Sequence, residues 1–391
     1  MKELRGYKNC KIVLSDRIIE SGFICFDKGL IHSFGNINDA GKDILQTLED
    51  ASENNILPGF IDIHCHGGAG SDVMDATLEA IKTISEYHAA GGTTGFLATS
   101  TSESQEDILK AINVAVKNKD NTSGAQILGM HLEGPYFNQS KKGCHRDNQV
   151  RNPDKKEYTR FLEAGFIKHM TLAPELPGAD QLIEALVKNG ATASLGHSEA
   201  SYKQVVNAIK HGASHVTHMY CAMSGIIKNG YDRSGGMVEA TLLEDALTTE
   251  VIADGKHLPD ELIKLVIKAK GTERVCVVTD ANRGAGMPDG IYTFGSMKGT
   301  QAIVKDGMAV TMDKSGMASS IYRMIDMFHH MVKTIGIDLI SAAKMFSSNP
   351  AKIIHVDQIT GNIAKGKQAD IIMLDKAFHL INTIAKGRII K

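Results

Sequence analysis

The chain has 391 residues with 43 basic and 45 acidic side chains, a formal net charge of −2 and no tryptophan. So even a balance argues against a polyanion or an anionic membrane surface as partner, and no nucleic acid or membrane is expected. No apolar run is long enough to span a bilayer, and Met1 to Gly6 is charged rather than signal-like, which predicts a soluble cytoplasmic protein. Six cysteines, at positions 10, 25, 65, 144, 221 and 276, lack C-x-x-C spacing and argue against a disulfide framework or a thiolate zinc knot. Sixteen histidines are the unusual feature, because several stand where apolar strands end.

Short β-rich segments at 10–13, 22–26 and 30–34, separated by turn residues, predict a small antiparallel meander. After a polar passage over 36–55 comes I-L-P-G-F-I-D-I-H-C-H-G-G, residues 56–68. Its apolar, β-branched run predicts a buried parallel strand ending in His64 and His66. Side chains two apart on a strand face the same way, so these two histidines point together, and Gly67 and Gly68 let the chain turn sharply behind them.

From there apolar strand, polar turn and amphipathic helix repeat. Helices are predicted over 75–90, 103–118, 154–163, 179–188, 199–210, 237–247 and 259–270, and strands over 93–100, 126–134, 167–175, 192–197, 215–220, 249–253 and 275–280. Counted from Phe60, eight strands alternate with helices, the pattern of a (β/α)8 TIM-type barrel. Residues 291–312 read as strand-like, and 320–333 and 338–346 as helices, with Met324, Met327 and Met331 forming a packing stripe. The β-rich tail 359–391 is expected to return to the N-terminal meander. The expected division is a small β-sandwich domain from both chain ends, 1–55 plus 359–391, beside a catalytic barrel over 56–358.

Functional groups of such barrels sit at the carboxyl ends of the strands. Those ends carry His64 and His66 on strand one, Glu133 on strand three, His197 on strand five, His218 on strand six and Asp280 on strand eight. Imidazole suits zinc, iron, nickel and similar ions, and a carboxylate can bridge two of them. Singly, His197 or Asp280 could cap a turn. Six such residues on one face point instead to a divalent metal centre.

The motifs H-C-H after L-P-G-F-I-D-I, then H-L-E-G-P-Y-F, T-L-A-P-E, L-G-H-S, V-T-H-M-Y-C-A-M, A-D-G-K-H and V-V-T-D-A resemble the amidohydrolase superfamily and, within it, the N-acetylglucosamine-6-phosphate deacetylases. The resemblance runs almost end to end, through G-K-Q-A-D-I-I-M-L-D near the C-terminus. It implies that Glu133, His197 and His218 hold one divalent ion, most simply zinc, with iron, manganese, cobalt or nickel as substitutes. His64 and His66 would complete a second site with Glu133 and Asp280. It also implies hydrolysis of an acetamide on a phosphorylated amino sugar. Asp280, by position the base, would take a proton from the attacking water and return it to the departing amine.

By the same resemblance, Cys144 and His145 in K-K-G-C-H meet the sugar or acetyl end, and His257 and Arg233 the 6-phosphate, the guanidinium offering a fork suited to phosphate. A phosphate contact from a neighbouring subunit would imply a homodimer. Three stretches depart from the family pattern. Cys221-Ala222-Met223 stands for N-A-M, Arg233-Ser234-Gly235-Gly236 for R-E-P-G, and Met317-Ala318-Ser319-Ser320 for L-A-G-S. All three lie in the sugar and phosphate region, so N-acetylgalactosamine 6-phosphate or another N-acylated amino sugar competes as substrate. Cyclic-amide hydrolases and base deaminases commonly bridge their metals with a strand-four lysine, whereas strand four here ends T-L-A-P-E. A catalytically silent sugar-phosphate sensor would be expected to lack Asp280 or a ligand, and all are present.

Overall fold

The computed structural model describes residues 4–390. Met1 to Glu3 and Lys391, the outer ends of the expected small domain, lie outside the described residues.

Among the described residues, eight strands form one parallel sheet in sequence order: β1 Phe60–Cys65, β2 Thr93–Ser100, β3 Gln126–Glu133, β4 Ile167–Leu172, β5 Thr192–Leu195, β6 His215–Val216, β7 Thr248–Ile252 and β8 Val275–Val278. The Asp280 N–H donates to the His64 carbonyl at 2.8 Å and Cys65 bridges Ala281, bringing β8 back to β1 and closing the sheet into a barrel. Strands β1, β2, β5 and β8 are buried at every position, as expected of strands covered on both faces. The helices between them follow local signals. Thr77 accepts from the Ala80 N–H to start Leu78–Ala89, whose buried face carries Ile81, Ile84 and His88; Ser104 and Asp154 cap Gln105–Asn118 and Lys155–Ala164 in the same way.

Register decides what meets inside the barrel. His131 lies beside His169, Thr171 beside Ser194, and Ser194 beside His215, so the interior below the strand ends is polar and rich in imidazole. Apolar packing is concentrated between the sheet and its helices, where Phe60 sits against Phe328 and Phe346 at centroid distances of 5.4 and 5.1 Å.

A mixed sheet stands beside the barrel. Its strands run in the order Arg388–Ile389, Leu380–Ala385, Ile371–Leu374, Asn55–Pro58, Arg5–Val13, Ile18–Asp27, Leu30–Asn36, with Glu49–Asp50 also against Arg5–Val13. The C-terminal return therefore meets the N-terminal meander through Asn55–Pro58, which is parallel to one neighbour and antiparallel to the other. Residues 56–58, grouped above with the barrel, run in this sheet. The Ile31 N–H reaches the Lys367 carbonyl at 2.8 Å, so the sheet curls over its own core of Ile12, Ile24, Ile56, Ile371 and Ile384.

Three local expectations are corrected. Pairing of strand six stops at Val216 rather than Tyr220, because the His218 and Met219 N–H groups turn to the side chain and carbonyl of Glu250. The helix expected from 320 begins at Met324, because Ser320 is still engaged in strand-like bonds with Asp280 and Asn282. The stretch 291–312 is strand-like as expected, forming a three-stranded antiparallel sheet of Gly290–Phe294, Thr300–Lys305 and Met308–Thr311. Gly67, expected to permit a sharp turn, instead permits close approach: a Cβ there would lie 2.3 Å from the Ser71 carbonyl oxygen.

Candidate active site

His64 ends in the barrel with Nδ1 3.1 Å from Glu250 Oε2 and Nε2 3.3 Å from His66 Nε2. Cys65, between them, faces the other way and lies 3.1 Å from His88 Nε2. Glu133, at the end of β3, is the hub. Its Oε1 lies 3.4, 3.1 and 3.2 Å from the Nε2 atoms of His64, His197 and His218. Its Oε2 lies 3.1 and 3.0 Å from those of His66 and His145. Asp280 Oδ1 adds contacts of 3.4 and 3.2 Å to His64 and His66 and accepts the Ser319 hydroxyl at 3.2 Å.

Backbone conformation helps to aim this set. His197, His218 and Asp280 lie just past their strand ends with φ of 49°, 29° and 47°. Left-handed conformations cost a non-glycine residue about 1–3 kcal/mol each, and they persist where surrounding contacts impose them. Here they swing three side chains off the strand axis into one space.

The hydrogen bonds assign the protons. His197 Nδ1 lies 2.7 Å from the Lys141 carbonyl, which can only accept, so Nε2 is a bare lone pair aimed at Glu133 and 3.0 Å from His218 Nε2. His64 donates Nδ1–H to Glu250 and likewise turns a bare Nε2 to the carboxylates. His145 has the opposite tautomer: its Nδ1 accepts the Ser102 N–H at 3.0 Å, so Nε2–H donates to Glu133. His145 is a donor to the cluster, not a lone pair within it.

Lone pairs of imidazole and carboxylate facing one another at 3.0–3.4 Å repel unless a cation lies among them. Ligands held at ~2.0–2.1 Å around a tetrahedral ion lie about 3.3 Å apart, so the spacing fits a metal. The groups His64, His66, Glu133 and Glu133, His197, His218 can each hold one. Electrostatics agree. Burial resists charge on His64 and His66, but the negative charge of Asp280 and Glu133 outweighs it and draws positive charge there, holding His64 well above the ordinary imidazole range and His66 at about 9; a cation among the ligands would take the place of those protons and leave Nε2 bare. Burial likewise opposes ionisation of Glu133, yet His64 and His145 hold it well below the usual carboxylate range. Burial brings His197 down to about 4, so it is neutral and able to ligate.

Above the cluster opens a cavity of about 350 Å³. Glu133, His197, His218 and Asp280 reach it from the strand ends, and Cys144, His145, Cys221, Ala222, His257, Met317 and Ser319 line its walls. His64 and His66 are fully buried beneath. Ala318 is buried behind the wall, its carbonyl accepting from Asn282 at 2.7 Å. Arg233 is not brought to the cavity: it lies exposed on the hairpin Ile227–Asn229 and Asp232–Ser234, with the Tyr231 carbonyl at 3.4 Å. Lys141 and Lys142 pair with Glu199 and Asp147 at 3.1 and 3.4 Å.

Several residues escaped the sequence reading. Phe294 reaches the cavity from the inserted sheet, whose strands were legible over 291–312 but whose position against the cavity was not. Asp254 binds the His257 Nδ1–H at 2.8 Å, and the spacing in A-D-G-K-H allowed that pair. Glu250 had a visible mark, a charge inside the buried strand T-T-E-V-I.

The model of the amidohydrolase family matches residues 55–390. The chain belongs to the amidohydrolase family. This amidohydrolase is 31% identical over 395 residues to the N-acetylglucosamine-6-phosphate deacetylase of Bacillus subtilis, covering 100% of this chain and 98% of that one. It is also 32% identical to an N-acetylgalactosamine-6-phosphate deacetylase of Escherichia coli, over 85% of this chain and 87% of the relative. Among solved structures it superimposes with a TM-score of 0.90 on the Mycobacterium smegmatis N-acetyl-D-glucosamine-6-phosphate deacetylase in complex with N-acetyl-D-glucosamine-6-phosphate, at 27% identity and covering 99% and 98% of the two chains. The same TM-score relates it to the Pasteurella multocida enzyme, at 30% identity and 99% coverage of both.

Proposed function

We propose that the protein hydrolyses the acetamide of N-acetylglucosamine 6-phosphate to give glucosamine 6-phosphate and acetate. The observation that carries this is Asp280, a carboxylate at the cavity floor beside the Glu133 cluster. Glu133, His197 and His218 would hold one divalent ion, zinc being the simplest choice, and His64 and His66 with Glu133 and Asp280 a second. A bound divalent ion supplies Lewis acidity and makes water more acidic near neutral pH.

The chain's own groups account for the proton movements. Burial would raise the Asp280 carboxyl, but His64 and His66 outweigh it and keep it below its ordinary value, so it is ionised at neutral pH and ready to accept. As water attacks the acetamide carbon, Asp280 takes its proton. When the C–N bond breaks, Asp280 returns that proton to the leaving amine, which needs it to depart. His145 lines the cavity with its Nε2–H given to Glu133 Oε2 at 3.0 Å; turned from that carboxylate to a bound acetamide, the same donor would meet the carbonyl oxygen as negative charge develops there. His257, held by Asp254 through Nδ1, lines the cavity and would meet the sugar phosphate as a donor through Nε2 when both ring nitrogens carry protons. Arg233 would reach a phosphate from a neighbouring subunit, since it stands clear of its own cavity. A homodimer follows from that role, and the cytoplasm is its expected location; among the described residues no helix is long and apolar enough to cross a membrane.

A second reading has its own support. Cys221, a cavity-lining thiol where the family pattern has an amide, removes one oriented hydrogen bond and leaves N-acetylgalactosamine 6-phosphate or another N-acylated amino sugar as the alternative substrate. Amine release by the zinc-supplemented protein, measured side by side on both phosphates and on their unphosphorylated sugars, tests the proposal. Fast release from the gluco phosphate is expected; release from the galacto phosphate alone would move the assignment to that sugar. Silence on all four with metal bound would overturn it.

A further inference from the structure

Strand β7 supplies no expected metal ligand, yet its third residue, Glu250, is a carboxylate with no exposed surface. Its Oε2 receives two hydrogen bonds from opposite sides of the centre: the His64 Nδ1–H at 3.1 Å and the His218 backbone N–H at 3.1 Å. Its own carbonyl accepts the Met219 N–H at 2.9 Å. The other carboxylate oxygen faces His215 at 3.4 Å and His169 at 3.9 Å, across the imidazole layer below the cluster.

These contacts do two different things. An ionised carboxylate only accepts, so it fixes the His64 proton on Nδ1 and leaves Nε2 free to face His66, Glu133 and Asp280. The bond to the His218 N–H holds the main chain in the left-handed turn, φ 29°, that carries its imidazole to Glu133 and His197. His64 belongs to one half of the centre and His218 to the other. One oxygen atom therefore sets the tautomer of a ligand in one half and the backbone of a ligand in the other.

We propose that Glu250 is a positioning residue that couples the two halves of the metal centre, so that both fill tightly only while its carboxylate is in place. This rests on the metal-centre reading above. Outer partners of metal-ligating histidines typically account for about 10–100-fold in metal affinity, and here one partner serves two ligands. Glu250→Gln keeps a carbonyl oxygen that can accept from both N–H groups but removes its charge, so both are held more weakly and the His64 proton is no longer pinned to Nδ1 by an anionic acceptor.

The test is titration of metal-free protein with cobalt(II), followed by visible absorption and by metal analysis after dialysis, for the parent, Glu250→Gln and His64→Asn. The parent is expected to take two ions per chain. His64→Asn should lose one and keep the other within about threefold. Glu250→Gln should weaken both by about 10–100-fold while its far-ultraviolet circular dichroism matches the parent, which a merely structural role would not produce. Parental affinity at either half in Glu250→Gln, or a parent that takes only one ion, would overturn the coupling. A parent that binds no ion would overturn the metal-centre reading itself, so the two failures are distinguishable. If Glu250→Gln does not fold, proton NMR of the cobalt-loaded parent decides. A shifted, slowly exchanging N–H that disappears in His64→Asn is expected, and its absence would overturn the inference.

Discussion

At the floor of the cavity five imidazole nitrogens lie within 3.4 Å of the Glu133 carboxylate, and His64, His145 and His197 are each anchored at their other nitrogen. At the rim, Cys221 and Met317 line the wall from loops, and Arg233 stands on an exposed hairpin with one long contact to a nearby carbonyl. The difference follows from where each group is mounted. Floor residues sit at or just beyond strand ends that the closed barrel holds in place, so moving one disturbs several partners. Rim residues hang on connections whose length and sequence can change at little cost to the core. Of the three departures from the family pattern, Cys221 and Met317 lie on the wall and Arg233 outside it, and Ser319 reaches Asp280, while the floor carries the full donor set. On the function proposed above, the floor would carry the chemistry and the rim the sugar preference.

The comparison breaks most directly at Asp280. Asp280→Asn keeps the shape but removes the proton acceptor, and turnover should fall on the order of 10³-fold while the ion held by Glu133, His197 and His218 is retained. Steady-state rates with metal analysis check this, and activity within tenfold of the parent would remove Asp280 as the base. At the rim, Arg233→Ala should raise KM for the phosphorylated sugar by roughly 10–100-fold, the range for a hydrogen bond to a charged group, with kcat within about twofold. An equal rise for the unphosphorylated sugar would take Arg233 out of phosphate binding. Cys221→Asn restores an amide to the wall and should shift the ratio of kcat/KM for the gluco and galacto phosphates by about tenfold. An unchanged ratio would place sugar choice elsewhere on the rim.

The smallest effect concerns the support behind the floor. Burial depresses the His88 imidazole to about 4. A group with a depressed folded-state pKa is protonated first in the unfolded chain, so its stability contribution is complete above pH 6.5 and is lost as pH falls towards 4. About 2 kcal/mol should disappear between pH 7.5 and pH 5, at about 1.4 kcal/mol per pKa unit. Urea unfolding of the parent and His88→Gln would show it as a pH dependence that the variant loses; parallel curves would contradict the assignment.

These tests also separate what could be read from the chain and what could not. The pair His64 and His66 was legible because a two-residue period on a buried strand fixes direction, and Glu133 because it ends another such strand. The barrel was legible from the alternation of apolar runs with capped amphipathic stretches. What could not be read was the path of the chain just after the strands. His218 was expected inside a strand reaching Tyr220, but its turn is imposed by Glu250, 32 residues away in sequence, and the local sequence carries no trace of that bond. The late start of the helix at Met324 has the same origin, since Ser320 is held by Asp280 and Asn282. Phe294 depends on an inserted sheet folding back over the barrel mouth. Each of these is a long-range contact overriding local preference.

The strand Asn55–Pro58 has one neighbour from the beginning of the chain and the other, Ile371–Leu374, from near its end. During synthesis one edge of this strand, with the apolar Ile56 and Leu57, must wait bare while more than 300 residues leave the ribosome, at about 5–20 residues per second. An unpaired apolar edge is a template for association with other chains. The histidine-bearing strand begins two residues later, so the nascent protein carries an unpaired apolar edge beside its histidine pair until the last strands arrive.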